Sequence, residues 1–292
     1  MKVLKPLSIS FEFFPPKSQE GITHLMETAS VLSEYNPQFF SVTFGAGGST
    51  RVGTIDTVSL LKAKTTSQIA PHLTCIGTTR EDILEILHQY QLLGVRRLVA
   101  LRGDLPSTLE HTGDLRYASE LVEFIREATG HYFHIEVAAY PEIHPQAMNA
   151  ADDILNLKRK FEAGADSALT QYFFNPDAYF YYLDECAKHG IDLPIVPGIM
   201  PITQFNKLVR FSELCGAEIP RWISKRLESY GDDLESVKQF GLEVVYHLCD
   251  ILIAGGAPGL HFYTLNKAET CAELLHLIHR DIYHQQEERA VS

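Results

Sequence analysis

The chain has 292 residues, 45% of them hydrophobic and 21% charged, with a formal net charge of −12. That much apolar material supports a large core and excludes a disordered chain. The acidic balance argues against a basic surface that grips nucleic acid or anionic membrane. The length permits two domains or one, and an α/β barrel of about 250 residues would take nearly all of it. No run approaches the roughly 20 apolar residues needed to cross a bilayer. The N-terminus MKVLKPLSIS lacks an apolar stretch and a small-residue cleavage site, so no signal peptide is expected. Five scattered cysteines (Cys75, Cys186, Cys215, Cys249, Cys271) form no CxxC pair, which disfavours a disulfide framework or a zinc site and fits a reducing cytoplasm.

In chain order, eight short apolar runs rich in β-branched and aromatic residues read as strands: LSISFEFF (7–14), FFSVTFGA (39–46), IAPHLTC (69–75), RLVALRGD (97–104), HIEVAAYP (134–141), SALTQYFF (167–174), LPIVPGIM (193–200) and GLHFYTLN (259–266). Such runs are what strands buried on both faces look like. Helical stretches separate them, for example EDILEILHQYQLLG (81–94) and YASELVEFIREATG (117–130). The second places Leu121, Phe124, Ile125 and Ala128 on one stripe, with Gly130 as its C-cap. Alternating strand and helix predicts a parallel sheet, and eight strands at this spacing predict a (β/α)8 TIM barrel. The seventh-to-eighth interval is longer, and IPRWISKRLESYGDD (219–233) predicts an extra helical segment there. The polar tail, about 284–292, is expected to fray. The reading is one domain, 1–292.

Polar residues collect at the predicted strand C-termini, where a barrel keeps its chemistry. They are Glu12, Thr43, His72, Arg102-Gly103-Asp104, Tyr140-Pro141-Glu142, Gln171 and Tyr263. Each singly has an ordinary structural alternative as a satisfied hydrogen bonder; together on one rim they describe a polar pocket. No strand carries a Schiff-base lysine, and no GxxxxGK[ST] loop occurs. His131 and His134 form an HxxH, but at a strand start, on the stability face, so no metal site is expected. The turn FGAGGST (44–50) lacks the third glycine of a dinucleotide fingerprint. It reads either as a tight βα turn or as a loop that approaches a flat ligand. In DDILNLKRK (152–160), Asp153, Asn156 and Lys160 share a helix face with Arg159 alongside. This is either a solvated charged face or a set that meets a ribose and a diphosphate.

SFEFFPPK (10–17), APHLTC (70–75), ALRGD (100–104), AAYPEIHP (138–145), NLKRK (156–160), TQYFF (170–174), PGIMP (197–201) and HFYTLN (261–266) resemble the methylenetetrahydrofolate reductase family, from about Ser10 to Lys267. The resemblance implies a flavin-containing barrel. It would use NADH or NADPH and FAD to convert 5,10-methylenetetrahydrofolate to 5-methyltetrahydrofolate in a ping-pong cycle, feeding methyl groups to methionine synthesis. It implies a cytoplasmic homo-oligomer, dimer or tetramer. Glu12 would be the general acid that opens the folate ring to an iminium cation. Its apolar neighbours Phe11, Phe13 and Phe14 lead one to expect a raised pKa. Asp104 would stabilise that cation and contact the flavin; its alternative is a helix N-cap. The implied FAD set is Phe44, Ala46, His72, Arg102, Gly103, Asp104, Tyr117, Ala118, Tyr140, His144, Ala147, Asp153, Asn156, Arg159 and Lys160. The implied substrate set is Glu12, Thr43, Asp104, Gln171, Lys207, Phe211 and Lys267.

Three positions depart from the family pattern. Phe44 stands for a tyrosine, so one hydroxyl contact is lost; Lys207 and Lys267 stand for a glutamine and an arginine near the folate, so folate affinity or polyglutamate preference is expected to differ. No regulatory domain sensing S-adenosylmethionine is expected. The competing readings are another flavin barrel, of proline-dehydrogenase type, or a cofactor-free barrel lyase or binding protein.

Overall fold

A computed structural model describes residues 7–44, 51–103 and 113–291 of the chain. The elements run β1 (Ser8–Phe13), α1 (Gln19–Ser33), β2 (Phe39–Val42), α2 (Arg51–Lys64), β3 (Gln68–Thr74), α3 (Arg80–Leu92), β4 (Arg97–Leu101), α4 (Ala118–Thr129), β5 (His134–Ala139), α5 (Ala150–Glu162), β6 (Ser167–Tyr172), α6 (Pro176–Lys188), β7 (Ile195–Ile199), α7 (Phe205–Cys215), α8 (Arg221–Tyr230), α9 (Leu234–Ala254), β8 (Gly259–Tyr263) and α10 (Glu269–Val291). The strands pair in parallel and in sequence order, and β8 returns to β1 to close an eight-stranded α/β barrel. No helix among the described residues is long and apolar enough to cross a membrane.

Seven of the eight predicted strands contain the observed one and β3 begins one residue earlier, at Gln68, but every observed strand stops short of its predicted C-terminal end. At that mouth the ladder gives way to loop and side-chain hydrogen bonds. The apolar runs also conceal an alternation. In β1, Ile9, Phe11 and Phe13 join the buried layer between barrel and helices, where Phe11 packs against Phe40 and Phe262 at ring distances of 5.9 and 5.7 Å. Ser8, Ser10 and Glu12 alternate with them and face the barrel axis, as period-two geometry requires. A small separate cluster of Phe39, Ala70, Val99 and Leu169 fills the middle of the barrel. Polar groups lie on both sides of it.

Side-chain caps start the helices: Ser18 accepts from Gly21 N, Thr79 from Asp82 N, Asn149 from Asp152 N, and Asn175 from Asp177 N, with Pro176 in the first turn of α6. Gly130 ends α4 at φ 58°, as its sequence position predicts. In α4 the buried stripe is Leu121, Val122, Phe124 and Ile125, and Ala128 is exposed instead. The extra segment between β7 and β8 is α7 and α8, which precede α9. The polar C-terminal stretch continues α10 as helix to Val291 rather than ending in an irregular tail.

Candidate active site

The C-terminal mouth centres on Glu12. Its Cα pairs in register with Ser41 on β2 and Tyr263 on β8, so its side chain points to the axis. Glu12 Oε2 lies 3.3 Å from His72 Nε2 and 3.8 Å from His261 Nε2. His261 Nδ1 in turn meets Ser10 Oγ at 2.8 Å. Two neighbouring hydroxyls, Ser41 Oγ and Thr43 Oγ1, are buried with no hydrogen-bond partner among the described residues.

This geometry corrects the sequence expectation for Glu12. Burial pushes its pKa up, as its phenylalanine neighbours led one to expect. The hydrogen bonds and charges of His261 and His72 outweigh burial and bring the pKa down to about 2. Without bound ligand the group is a carboxylate. The signal was lost in sequence because both imidazoles come from other strands, His72 from β3 and His261 from β8.

The loop after β8 bolts Glu12 in place. Thr264 Oγ1 donates to the Glu12 carbonyl at 2.6 Å, and the Asn266 amide bonds both Phe14 N (3.0 Å) and Phe14 O (2.8 Å). Leu265 and Asn266 adopt φ of 51° and 57°, a left-handed conformation uncommon for a leucine. Such strain persists only where neighbouring bonds hold it, and these bonds tie the loop to β1.

The expected cofactor residues fall into connected and separate groups. The loops after β4 and β5 are joined where Arg102 donates to Gln146 Oε1, and Arg102 Nε also donates to Gly103 O at 3.3 Å. Cys75 Sγ donates to Arg102 O (3.5 Å) and Tyr117 O (3.7 Å), which places the start of α4, with Ala118, against the same loop. Tyr140 packs edge-on against His144 at 4.4 Å, and His144 N donates to Asp153 Oδ2 at 2.8 Å. Ala147 N donates to His144 O at 2.9 Å. Lys160 turns inward and donates to the Ala138 carbonyl of β5; burial, partly offset by Asp153, lowers its pKa to about 8. Asn156 and Arg159 instead bond each other at 2.7 Å on the exposed face of α5. Phe44 is partly buried against the core, next to Thr43. Ala46 and Asp104 lie outside the described residues.

Among the expected substrate residues, Gln171 lies on β6 with its Oε1 accepting from Tyr172 N at 3.0 Å. Phe211 on α7 is 38% exposed, which is not the burial that helical position alone would assign to an aromatic. Lys207 on α7 and Lys267 after β8 are exposed. The residues that sequence reasoning missed are Ser10, Ser41, His261, Thr264 and Asn266. Ser10, Ser41 and His261 carried the signal of a polar residue set between apolar ones in a strand; Thr264 and Asn266 lie past the end of β8 and carried none.

A closed parallel barrel whose C-terminal mouth holds a half-buried carboxylate between two imidazoles is a barrel enzyme of the (β/α)8 class. Comparison with known proteins narrows this. Residues 3–279 match the family described as Methylenetetrahydrofolate reductase. The 5,10-methylenetetrahydrofolate reductases of Salmonella typhimurium and Escherichia coli are each 40% identical over 272 residues, covering 93% of this chain and 90% of theirs. Among solved structures, an uncharacterized protein from Clostridium thermocellum, described as binding two copies of 5-methyl-5,6,7,8-tetrahydrofolic acid, has a similar fold. Its TM-score is 0.66 at 16% identity, over 92% of this chain and 93% of that one. The chain belongs to the methylenetetrahydrofolate reductase family, and it is an oxidoreductase.

Proposed function

We propose that the protein reduces 5,10-methylenetetrahydrofolate to 5-methyltetrahydrofolate with FAD as its cofactor and NADH or NADPH as reductant, the two substrates using the mouth in turn. The observation that carries this reading is Glu12 held on the barrel axis between His72 and His261, beside hydroxyls that lack a partner.

The residues present fit a flavin dinucleotide. Thr43 Oγ1 is a buried hydroxyl still able to bond a ligand. Gly103 sits at φ 88°, and a Cβ there would meet the Thr74 side chain at 3.0 Å, so the turn after β4 is built for glycine. Lys160 is an amine whose charge burial disfavours, and an anion beside it would restore the charge. His72, Arg102 and Gly103 would hold one part of the dinucleotide, and Tyr140, His144, Asp153 and Lys160 another, with Thr43 left for the substrate. When bound, FAD supplies the hydride relay between nicotinamide and folate.

The chain's own residues bind, orient and move a proton. The bridging amine of the folate must be protonated before its ring opens to an iminium cation that accepts hydride. Glu12 is the acid for that step. The two imidazoles keep it ionised in the open mouth, and a flat ligand that closes the mouth to water strengthens the burial influence that raises its pKa. Asp104 would stabilise the cation electrostatically, and Gln171 would bond the pterin edge through its two-sided amide.

The test begins with colour. The purified protein should be yellow and bleach anaerobically with NADH or NADPH, and methylenetetrahydrofolate should then restore the colour in stopped flow. A protein that takes up no FAD, or one that bleaches but ignores the folate, overturns the reading.

A further inference from the structure

The β6–β7 pairing contains a local irregularity. Ala168 pairs with Ile195 and Leu169 with Val196, but the next pair is Tyr172 with Gly198. Three steps on β6 therefore match two on β7, leaving one extra residue at Thr170–Gln171. Bulges of this kind re-aim a side chain and interrupt the ladder. Three backbone groups at the bulge are taken by side chains. Gly198 N donates to Thr170 Oγ1 at 2.8 Å. Tyr172 N donates to Gln171 Oε1. The Thr170 carbonyl accepts from the Tyr263 phenol at 2.7 Å, a bond that crosses from β8 over β7.

The space for that crossing depends on Gly198. A Cβ there would lie 2.2 Å from Thr170 O and 2.7 Å from Tyr263 Cε2. Tyr263 is itself held on its other side, with its ring edge-on to His261 at 5.3 Å and to Tyr172 at 6.3 Å. The phenol thus has a fixed ring and one acceptor.

We propose that Tyr263 is a positioning residue: its hydroxyl fixes the Thr170 carbonyl and thereby holds the bulge that presents Gln171 to the folate. The inference rests on the reading of Gln171 as a folate-binding residue. Tyr263 acts on the ligand only through that residue. Its Cα is also the register partner of Glu12, so one residue of β8 links the acid on β1 to the amide on β6.

The experiment is a double-mutant cycle on the FAD-loaded enzyme with Tyr263→Phe, Gln171→Ala and both together. It reads the folate KM by steady state and 5-methyltetrahydrofolate affinity by calorimetry. Losing one neutral hydrogen bond predicts a threefold to tenfold weaker folate interaction, at roughly 0.5–1.5 kcal/mol per bond. The loss should vanish when Gln171 is already alanine. Thr170→Val, which removes the hydroxyl bonded to Gly198 N, should show the same dependence on Gln171. If Gln171→Ala alone leaves folate KM and affinity unchanged, the role of Gln171 fails and takes the inference with it. If Gln171→Ala weakens folate but Tyr263→Phe adds the same factor with or without Gln171, only the inference is overturned. A purely structural Tyr263 would give that second result, with a lower melting temperature.

Discussion

The barrel holds a carboxylate at each end, buried at the floor and half-buried at the mouth, and the two are built differently. At the floor, Glu136 of β5 is 2% exposed. One of its oxygens is taken by the Arg97 guanidinium and the other by the Ser167 hydroxyl, with His134 Nε2 3.3 Å away. Arg97 also lies over the Phe39 ring at 4.7 Å. At the mouth, no lysine or arginine pairs with Glu12 among the described residues, and Ser41 and Thr43 beside it have hydroxyls without a partner there. Phe39 separates the two ends, since its ring also stacks on His261 at 5.8 Å. At both ends, partners outweigh burial and hold the carboxyl below its ordinary pKa. The difference lies in the oxygens: both carboxylate oxygens of Glu136 are taken, while the hydroxyls beside Glu12 are not. A buried polar cluster with its oxygens taken specifies structure, while one with capacity to spare is suited to receive a ligand.

Exchanging the same atoms at the two ends sharpens this contrast. Glu12→Gln should slow folate reduction by two to four orders of magnitude, the usual range for a lost general acid, while flavin reduction by nicotinamide stays near normal. Stopped-flow measurement of both half-reactions checks this, and equal losses in the two would remove Glu12 from its role.

Glu136→Gln should do the opposite. Turnover per folded molecule should stay close to the parent, but Arg97 is left buried without its carboxylate, at a cost of about 3–5 kcal/mol. A urea midpoint that does not fall would show that the floor cluster is not structural.

Lys160→Met tests a charged group of the expected cofactor set. Losing a charge-assisted hydrogen bond of about 1.5–3 kcal/mol should weaken FAD binding roughly tenfold to a hundredfold. Yet the flavin-free variant should melt higher at pH 7. The folded pKa, about 8, lies below the ordinary 10.5, so the charged amine opposes folding below pH 8. That opposition fades as pH rises from 8 to 10.5, and the variant's advantage should fade with it. Flavin titration and melting curves at the two pH values measure both effects.

The smallest effect expected is on acid stability. Glu12 has a folded pKa of about 2 against an ordinary 4.5. Its contribution is therefore complete above pH 4.5 and lost as pH falls toward 2. The stability gap between the parent and Glu12→Gln should close over that window. A constant gap would contradict the histidine-held carboxylate.

Much of this was legible in the chain, because strand identity depends on local pattern. Eight apolar runs, alternating with amphipathic stretches, determine a barrel whichever partners the strands find. The concentration of Glu12, Thr43, His72, Arg102, Gln171 and Tyr263 at strand ends marked one rim as the chemical one, since a side chain there must find a partner or a function. The stop of α4 at Gly130 follows from neighbours within a few residues.

Only the tertiary structure decided how those groups behave. Glu12 reads as a carboxyl among phenylalanines until β3 and β8 deliver His72 and His261 beside it, the second from 249 residues further along the chain. Its pKa then moves opposite to the local expectation, because electrostatics depends on distance in space and not along the chain. Lys160 reads as one cation of a solvated KRK run, yet its place on α5 sends it to a carbonyl of β5. The bulge at Thr170–Gln171 leaves no mark in the sequence, because it is a mismatch between two strands. Composition and period determined which layers the protein has. Closure of the barrel determined which polar atoms meet on its axis, and the chemistry follows from that meeting.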